Sequence, residues 1–388
     1  MADPDLYAGR EQTLVKHSIL GKYLERFAHI IGSHWNSITY VDCFSGPWNV
    51  KSDDMSDSSF SIALQELRKA RDTHLARGRS IALRCFFIER ELGPYRRLKQ
   101  FADSVTDAEI ETRNSLFEES IPQILKFVRK GGRDSFPFFF VDPTGWTGFP
   151  MDVIAPLLRL DQVEVLINFM TKDIRRFIES PQQQTQQGFA RLFGSATFKD
   201  RLETLQGLDR EDAAVSEYRA RVIETGRFDF TASAIILHPL FDRTNFHLIY
   251  ATRHALGVEV FKEAEKSAMG VMEQARSEAQ KRTREKRTGQ GELFGSEVLH
   301  DPTYYESLRE RYLSKAKKSV LQLLRAKRQV PYDEAWTAAL AQPLAWESDL
   351  KSWINDWRKQ GLLHVEGLTG KQTVPKREKG HTLVWLRA

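Results

Sequence analysis

The chain is poor in cysteine: Cys43 and Cys85 are the only two, each in strand-like surroundings and without metal-ligand spacing. That excludes a disulfide framework and a cysteine-built zinc or iron–sulfur site, and it points to a reducing, cytoplasmic setting. No run approaches the roughly 18 apolar residues of a membrane helix. The opening MADPDLYAGREQTLVKH lacks the apolar core of a signal peptide. The ten histidines include no H-x-x-x-H pair, so a zincin-like site has no support. "GWTGFP" lacks the lysine-serine ending of a phosphate loop, and no G-x-S-x-G elbow occurs for an esterase triad. Charge of one sign is also scarce overall: a net +5 on 388 residues matters only where it is concentrated.

What is present is an alternation. A chain of this length exceeds one ordinary core, so two or three domains are expected. From His17 to about Ala255 the apolar period switches between helical and strand-like. The pattern predicts helices at Lys16 to Ile31, Phe60 to Leu75, Tyr95 to Ala102, Phe117 to Arg129 and Met151 to Leu158. It predicts strands at Ile38 to Phe44, Ile81 to Glu89, Glu109 to Thr112, Phe136 to Val141 and Val163 to Phe169. "FPFFFV" is apolar throughout and reads as a central strand. Five such strands imply parallel pairing with right-handed crossovers, and ligands bind such sheets at the strands' carboxyl ends.

Residues 171 to 230 break the alternation and read as a helical insertion. Two strand-like runs follow, "ASAIILHPL" and "NFHLIYATRH", and the short Phe241-Asp242-Arg243-Thr244 connection forces an antiparallel pair. A parallel sheet finished by an antiparallel hairpin is the Rossmann-like arrangement of class I methyltransferases and distinguishes them from dinucleotide dehydrogenases. A basic-ended helix (Glu259 to Arg287) and the linker "TGQGELFGS" lead to three helices and a hairpin, the order of a winged helix-turn-helix. The expected division is 14–270 for the methyltransferase-like domain, 271–302 for the helix end and linker, and 303–388 for the winged helix.

Candidate site residues stand at successive strand ends. Asp42 and Gly46 follow the first strand in "TYVDCFSGPWNV", where a small residue lets backbone approach a cofactor. Glu89 ends the second, placed for ribose hydroxyls; Asn114-Ser115 follows the third, beside an adenine ring. "VDPTGW" follows the fourth and faces an acceptor. Each has a plainer alternative: an ordinary turn for Asp42, Gly46 and Asp142-Pro143, a solvated helix start for Glu89, a helix cap for Asn114 and Ser115. Their shared register is what sets them apart.

Enzymes that methylate an exocyclic adenine amine use Asp or Asn followed by Pro with an aromatic nearby. The oxygens accept the amine hydrogens and the ring stacks on a flipped-out base. Asp142, Pro143 and Trp146 match in type, though the aromatic lies two residues late relative to D-P-P-Y. Two basic elements suggest contact with nucleic acid, DNA or RNA: "KRTREKR", with Lys281, Arg282, Arg284, Lys286 and Arg287, and a wing tip with Lys371, Lys376, Arg377 and Lys379. Their alternative is a solvated helix end and a soluble loop. His238 and His247, and the tryptophans of the last unit, read as packing residues.

"HSILGKYLERF…ITYVDCFSGPW", "FFIERE", "FFFVDPTGW", "VEVLINFM" and "FHLIYATRHALGVEVFKE" together resemble the three-Cys-motif partner (TcmP) proteins, over roughly residues 14 to 270. The resemblance implies a bacterial, often phage-related protein with a methyltransferase-like Rossmann core, often a winged helix, and a genetic partner similar to radical-SAM enzymes. The family's first-strand motif is matched by Asp42, Phe44, Ser45, Gly46 and Pro47, but Trp48 stands where a second glycine belongs. That indole fills the cofactor's methionine space, swings over the adenine, or caps the site from outside. Three readings follow: an S-adenosylmethionine-dependent methyltransferase acting on nucleic acid, a degenerate fold serving as a binding or scaffolding subunit, and a transcriptional regulator whose core senses a small molecule.

Overall fold

The computed structural model describes residues 4–47, 49–289, 296, 300–370 and 372–386. Trp48 and Lys371 lie outside the described residues. The chain forms two compact units, one of residues 1–231 with 235–300, the other of 301–388 with 232–234.

The first unit is a mixed α/β structure on a seven-stranded sheet. Its strands are β1 (Ser37–Asp42), β2 (Ala82–Glu89), β3 (Glu109–Asn114), β4 (Ser135–Val141), β5 (Glu164–Phe169), β6 (Phe230–Leu237) and β7 (Thr244–Thr252). The order across the sheet is β3-β2-β1-β4-β5-β7-β6. β1 pairs in parallel with β2 and β4, β2 with β3, and β4 with β5, whereas β7 runs antiparallel to β5. β4, apolar after its first residue Ser135, is the middle strand of the seven and buried at every residue, as its composition requires when both faces are covered.

Alternation along the strands divides the core. Tyr40, Phe87 and Phe138 meet Tyr23 and Phe27 of α1 (Glu11–His34) and Phe60 of α2 (Ser59–Leu75). Val41, Phe86, Phe139 and Val165 belong instead to the cluster with α4 (Phe117–Lys130), α5 (Met151–Leu158) and the insertion. α3 (Leu92–Ser104) covers β2 and β3, and the insertion consists of α6 (Thr171–Phe177), α7 (Gln183–Phe193) and α8 (Gly207–Gly226). α9 (Ala255–Thr288) lies along α1.

Several boundaries move. α1 begins at Glu11 instead of Lys16, because the polar Arg10 and Glu11 are buried by folding, against the usual exposure of such residues. β3 runs through Asn114, which is therefore the last strand residue and not the first of the loop. β6 ends at Leu237, so His238-Pro239-Leu240 belongs to the turn, closed by the His238 N–H donating to the Arg243 carbonyl at 2.9 Å.

The second unit contains α10 (Thr303–Lys327), α11 (Tyr332–Leu340), α12 (Glu347–Lys359) and a three-stranded sheet in the order β8 (Gln329–Pro331), β10 (Thr382–Trp385), β9 (Leu363–Glu366). β10 is antiparallel to both neighbours. The three-residue β8 is too short to show a period in the sequence. Trp336, Trp353 and Trp357 are buried in this unit, as expected of packing residues. Among the described residues no helix is long and apolar enough to cross a membrane.

Candidate active site

A cleft of about 440 Å³ opens at the carboxyl ends of β1, β2, β3 and β4, within the range usual for small-molecule sites. Phe44, Gly46, Glu89, Ser115, Asp142 and Pro143 all line it. The structure thus brings together residues that the sequence separates by nearly a hundred positions. Asp42, Asn114 and Trp146 are not in its lining.

Asp42 works beneath the floor. It is fully buried, its Oδ2 accepting from Ser59 Oγ at 2.6 Å and from Tyr40 Oη at 3.3 Å, its Oδ1 from the Phe44 N–H at 3.2 Å. It therefore ties the turn after β1 to the start of α2. Burial pushes its carboxyl up to about 6, opposed by the Ser59 hydrogen bond and reinforced by the nearby Asp142 charge. Ser45 fastens the same turn sideways, its N–H donating to Ile88 O at 2.7 Å while its Oγ accepts from the Ile88 N–H at 3.2 Å.

Glu89 is buried at the end of β2, its Oε1 accepting the Glu91 N–H at 2.6 Å. Asn114, its register partner on β3, donates Nδ2 to the carbonyls of Glu89 and Arg90, each at 2.9 Å. Asn114 thus holds the β2 turn that carries Glu89; its amide nitrogen is engaged by backbone.

The fourth strand end differs more from expectation. Asp142 forms an ion pair with Lys16 Nζ and accepts from Asn168 Nδ2 at 2.7 Å. Each oxygen therefore already holds one donor, leaving its remaining lone pair for any other. Trp146 is partly buried against the core, its ring stacked on Phe189 of α7 at 4.2 Å and 22°. One face of the indole is thus taken up by the insertion, and Trp146 stands outside the cleft lining. Gly148, at φ +90°, shapes the loop around Phe44.

The wall supplied by α1 was missed. Arg10, Thr13, Lys16 and His17 line the cleft, and Arg10 forms an ion pair with the wholly buried Asp57. Asp57 also accepts the Lys51 and Ser52 N–H groups at 3.0 and 3.2 Å, so one carboxylate organises the loop after β1. His17 shares a 3.0 Å hydrogen bond with Tyr7 Oη; burial, with Lys16 and Arg10 beside it, holds its pKa well below the ordinary value and keeps it neutral. The available signal was a Lys-His pair inside the apolar stripe of α1 and a lone Asn inside "VEVLINF".

The basic candidates divide. Lys286 and Arg287 are exposed at the end of α9, Lys281 is within 3.9 Å of Glu285, and Arg282 is paired with Glu11. Arg284 sits half-buried on the same helix. Lys376 and Lys379 are exposed, but Arg377 lies over the Trp336 ring, 4.7 Å from its centroid, and serves the packing of the second unit. His247 bonds Glu211 at 3.1 Å in a buried position, a structural use as expected.

No protein-family profile matches the chain, and no curated protein matches it. Among solved structures, protein LPL1258 from Legionella pneumophila str. Philadelphia 1 aligns at a TM-score of 0.39 with 9% identity, over 68% of this chain and 94% of its own. A loganic acid methyltransferase with SAH aligns at 0.31 with 9% identity, over 74% and 92%. At those scores neither structure decides what this chain does.

Proposed function

We propose that the chain is an S-adenosylmethionine-dependent methyltransferase acting on nucleic acid, working in the cytoplasm beside a three-Cys-motif protein as the TcmP resemblance implies. The observation that carries the reading is the common register of Gly46, Glu89, Ser115 and Asp142-Pro143 around one cleft at the ends of β1 to β4. In this reading Gly46 and Phe44 border the methionine end, Glu89 accepts from the ribose hydroxyls, and Ser115 meets the adenine edge. Asp42 and Asn114 position those groups from behind. Asp142 and the Pro143 backbone face the acceptor. The strand order with its antiparallel β7 supports a methyltransferase-like Rossmann core, and the helix–strand order of the second unit supports a winged helix whose Lys376 and Lys379 meet phosphate.

The test is calorimetric titration of S-adenosylmethionine into the full chain. Micromolar binding that disappears in Glu89→Ala supports the reading; absence of binding by the folded wild type defeats it. Asp142→Ala is expected to abolish transfer and spare cofactor binding.

One observation favours a second reading. The Lys16–Asp142 ion pair neutralises the acceptor-side carboxylate, as a degenerate methyltransferase fold retained as a nucleic-acid-binding or scaffolding subunit would tolerate. Retained oligonucleotide binding without cofactor binding is the result that selects it.

A further inference from the structure

A second concavity, about 320 Å³, adjoins the first turn of α1 on its other side. Gly9, Glu11 and Gln12 line it, whereas Arg10, Thr13 and Lys16 line the cleft, so one helical turn is the partition between them. Its remaining walls come from α6, the β6–β7 turn and the end of α9, with Lys172, His238, Arg282 and Lys286 facing in.

Its charge is predominantly positive. Arg282 is matched by Glu11, and Arg276 by Asp242. Lys172, Arg243 and Lys286 have no carboxylate within ion-pair distance among the described residues. Lys172, Arg243 and Arg276 also depress the pKa of His238, after burial itself, as expected of cations crowded around one ring. On the turn stands Phe241, 56% exposed, with the Arg243 guanidinium 5.1 Å from its ring centroid. On the cleft side of the partition Lys51 reaches over to donate to Ala8 O at 2.7 Å. A basic track with an aromatic at its edge thus leads over the partition to the cleft.

We propose that this groove is the track of a single-stranded nucleic acid. Its backbone lies along Lys172, Arg282 and Lys286, one base stacks on Phe241, and the neighbouring nucleotide crosses the first turn of α1 into the cleft. Single strands are held by this combination of a cationic groove and an exposed ring, because phosphates recur along the chain and every base has a stacking face. A concavity of this size takes a strand and not a duplex, and chemistry on a base needs it out of the stack. An acidic peptide would use the cations and leave Phe241 idle. The inference rests on the cleft as the acceptor site.

The experiment is fluorescence anisotropy of the full chain with a roughly 20-nucleotide labelled oligothymidylate, longer than most single-strand sites, over a salt series. Reversing Lys172 and Lys286 together (Lys172→Glu, Lys286→Glu) is expected to weaken binding at least about tenfold and lower the salt slope by about one to two. Phe241→Ala is expected to weaken it roughly fivefold or more with the slope unchanged. Affinity and slope equal to wild type in both variants overturn the proposal. So does loss confined to Lys376→Glu and Lys379→Glu in the second unit, or displacement by polyglutamate that Phe241→Ala leaves unaltered. Cofactor titration of the same variants separates the two readings: binding in all, with oligonucleotide affinity unchanged, removes the groove alone. Failure of wild type to bind cofactor, with groove variants still losing the oligonucleotide, removes methyl transfer and keeps the groove.

Discussion

Lys16 of α1 and Asp142 at the end of β4, 126 positions apart in the chain, meet as an ion pair at the cleft. Both side chains are largely buried, so neither charge is well compensated by water. Lys16→Met is expected to cost about 2 kcal/mol, the usual penalty of leaving a buried polar group unmatched. Adding Asp142→Leu is expected to recover part of it. Urea unfolding of the two single variants and the double gives the coupling, and simple additivity would show that the pair contributes nothing to stability.

Trp146 and Phe189 make the opposite kind of prediction. Alanine in a helix is normally preferred to glycine, yet a Cβ at Gly188 of α7 would stand 2.7 Å from the Trp146 ring. Gly188→Ala is expected to destabilise by about 1–3 kcal/mol, as overpacking does. Phe189→Ala should cost about 3–5 kcal/mol as a core truncation. Thermal melts check both, and a stabilised Gly188→Ala would show that the indole is free to move.

Asp42 carries a dependence on pH. Its folded pKa of about 6 lies above the ~3.9 of an unfolded aspartate. The folded chain then holds the proton more tightly, so the stability this group contributes is full below about pH 4 and is lost as pH rises through 6. Two pKa units correspond to about 3 kcal/mol. Asp42→Asn is expected to flatten that slope, seen as a wild-type-minus-variant difference in urea midpoints that changes between pH 4 and 6 and is constant above.

Arg377 and Lys379 are neighbours in sequence with different employment. Arg377→Ala uncovers the Trp336 face and is expected to lower the melting temperature while leaving oligonucleotide affinity in place. Lys379→Ala is expected to leave stability within ~0.5 kcal/mol, as for most surface changes, and to weaken binding. Anisotropy and calorimetric melting of each variant decide, and a reversed pattern would return Arg377 to the phosphate-contacting set.

The core was legible because buried parallel strands are written as strongly apolar runs: "FPFFFV", and "VEVLINF" with only Glu164 and Asn168 interrupting it, announce β4 and β5 without reference to anything distant. The strand-end positions were legible for the same reason, since the end of a run marks the place where a side chain reaches the sheet's edge. What stayed hidden were partners brought from afar. Lys16 and Asn168 look like flaws in apolar segments until Asp142 is set between them. Trp146 followed a motif by type, but its orientation depends on Phe189, which only the folded insertion supplies. β8 is three residues long and carries no period to read.

The position of β1 also bears on how the chain is made. One edge of β1 meets β2 soon after both emerge, but the other waits for β4, whose Ser135 pairs with Ser37, 98 residues earlier. Until then a growing chain presents an unpaired edge of a strand whose every residue the finished fold buries, the kind of surface on which nascent chains aggregate. Chaperone capture between the synthesis of β2 and β4 would shield that edge until its second partner arrives.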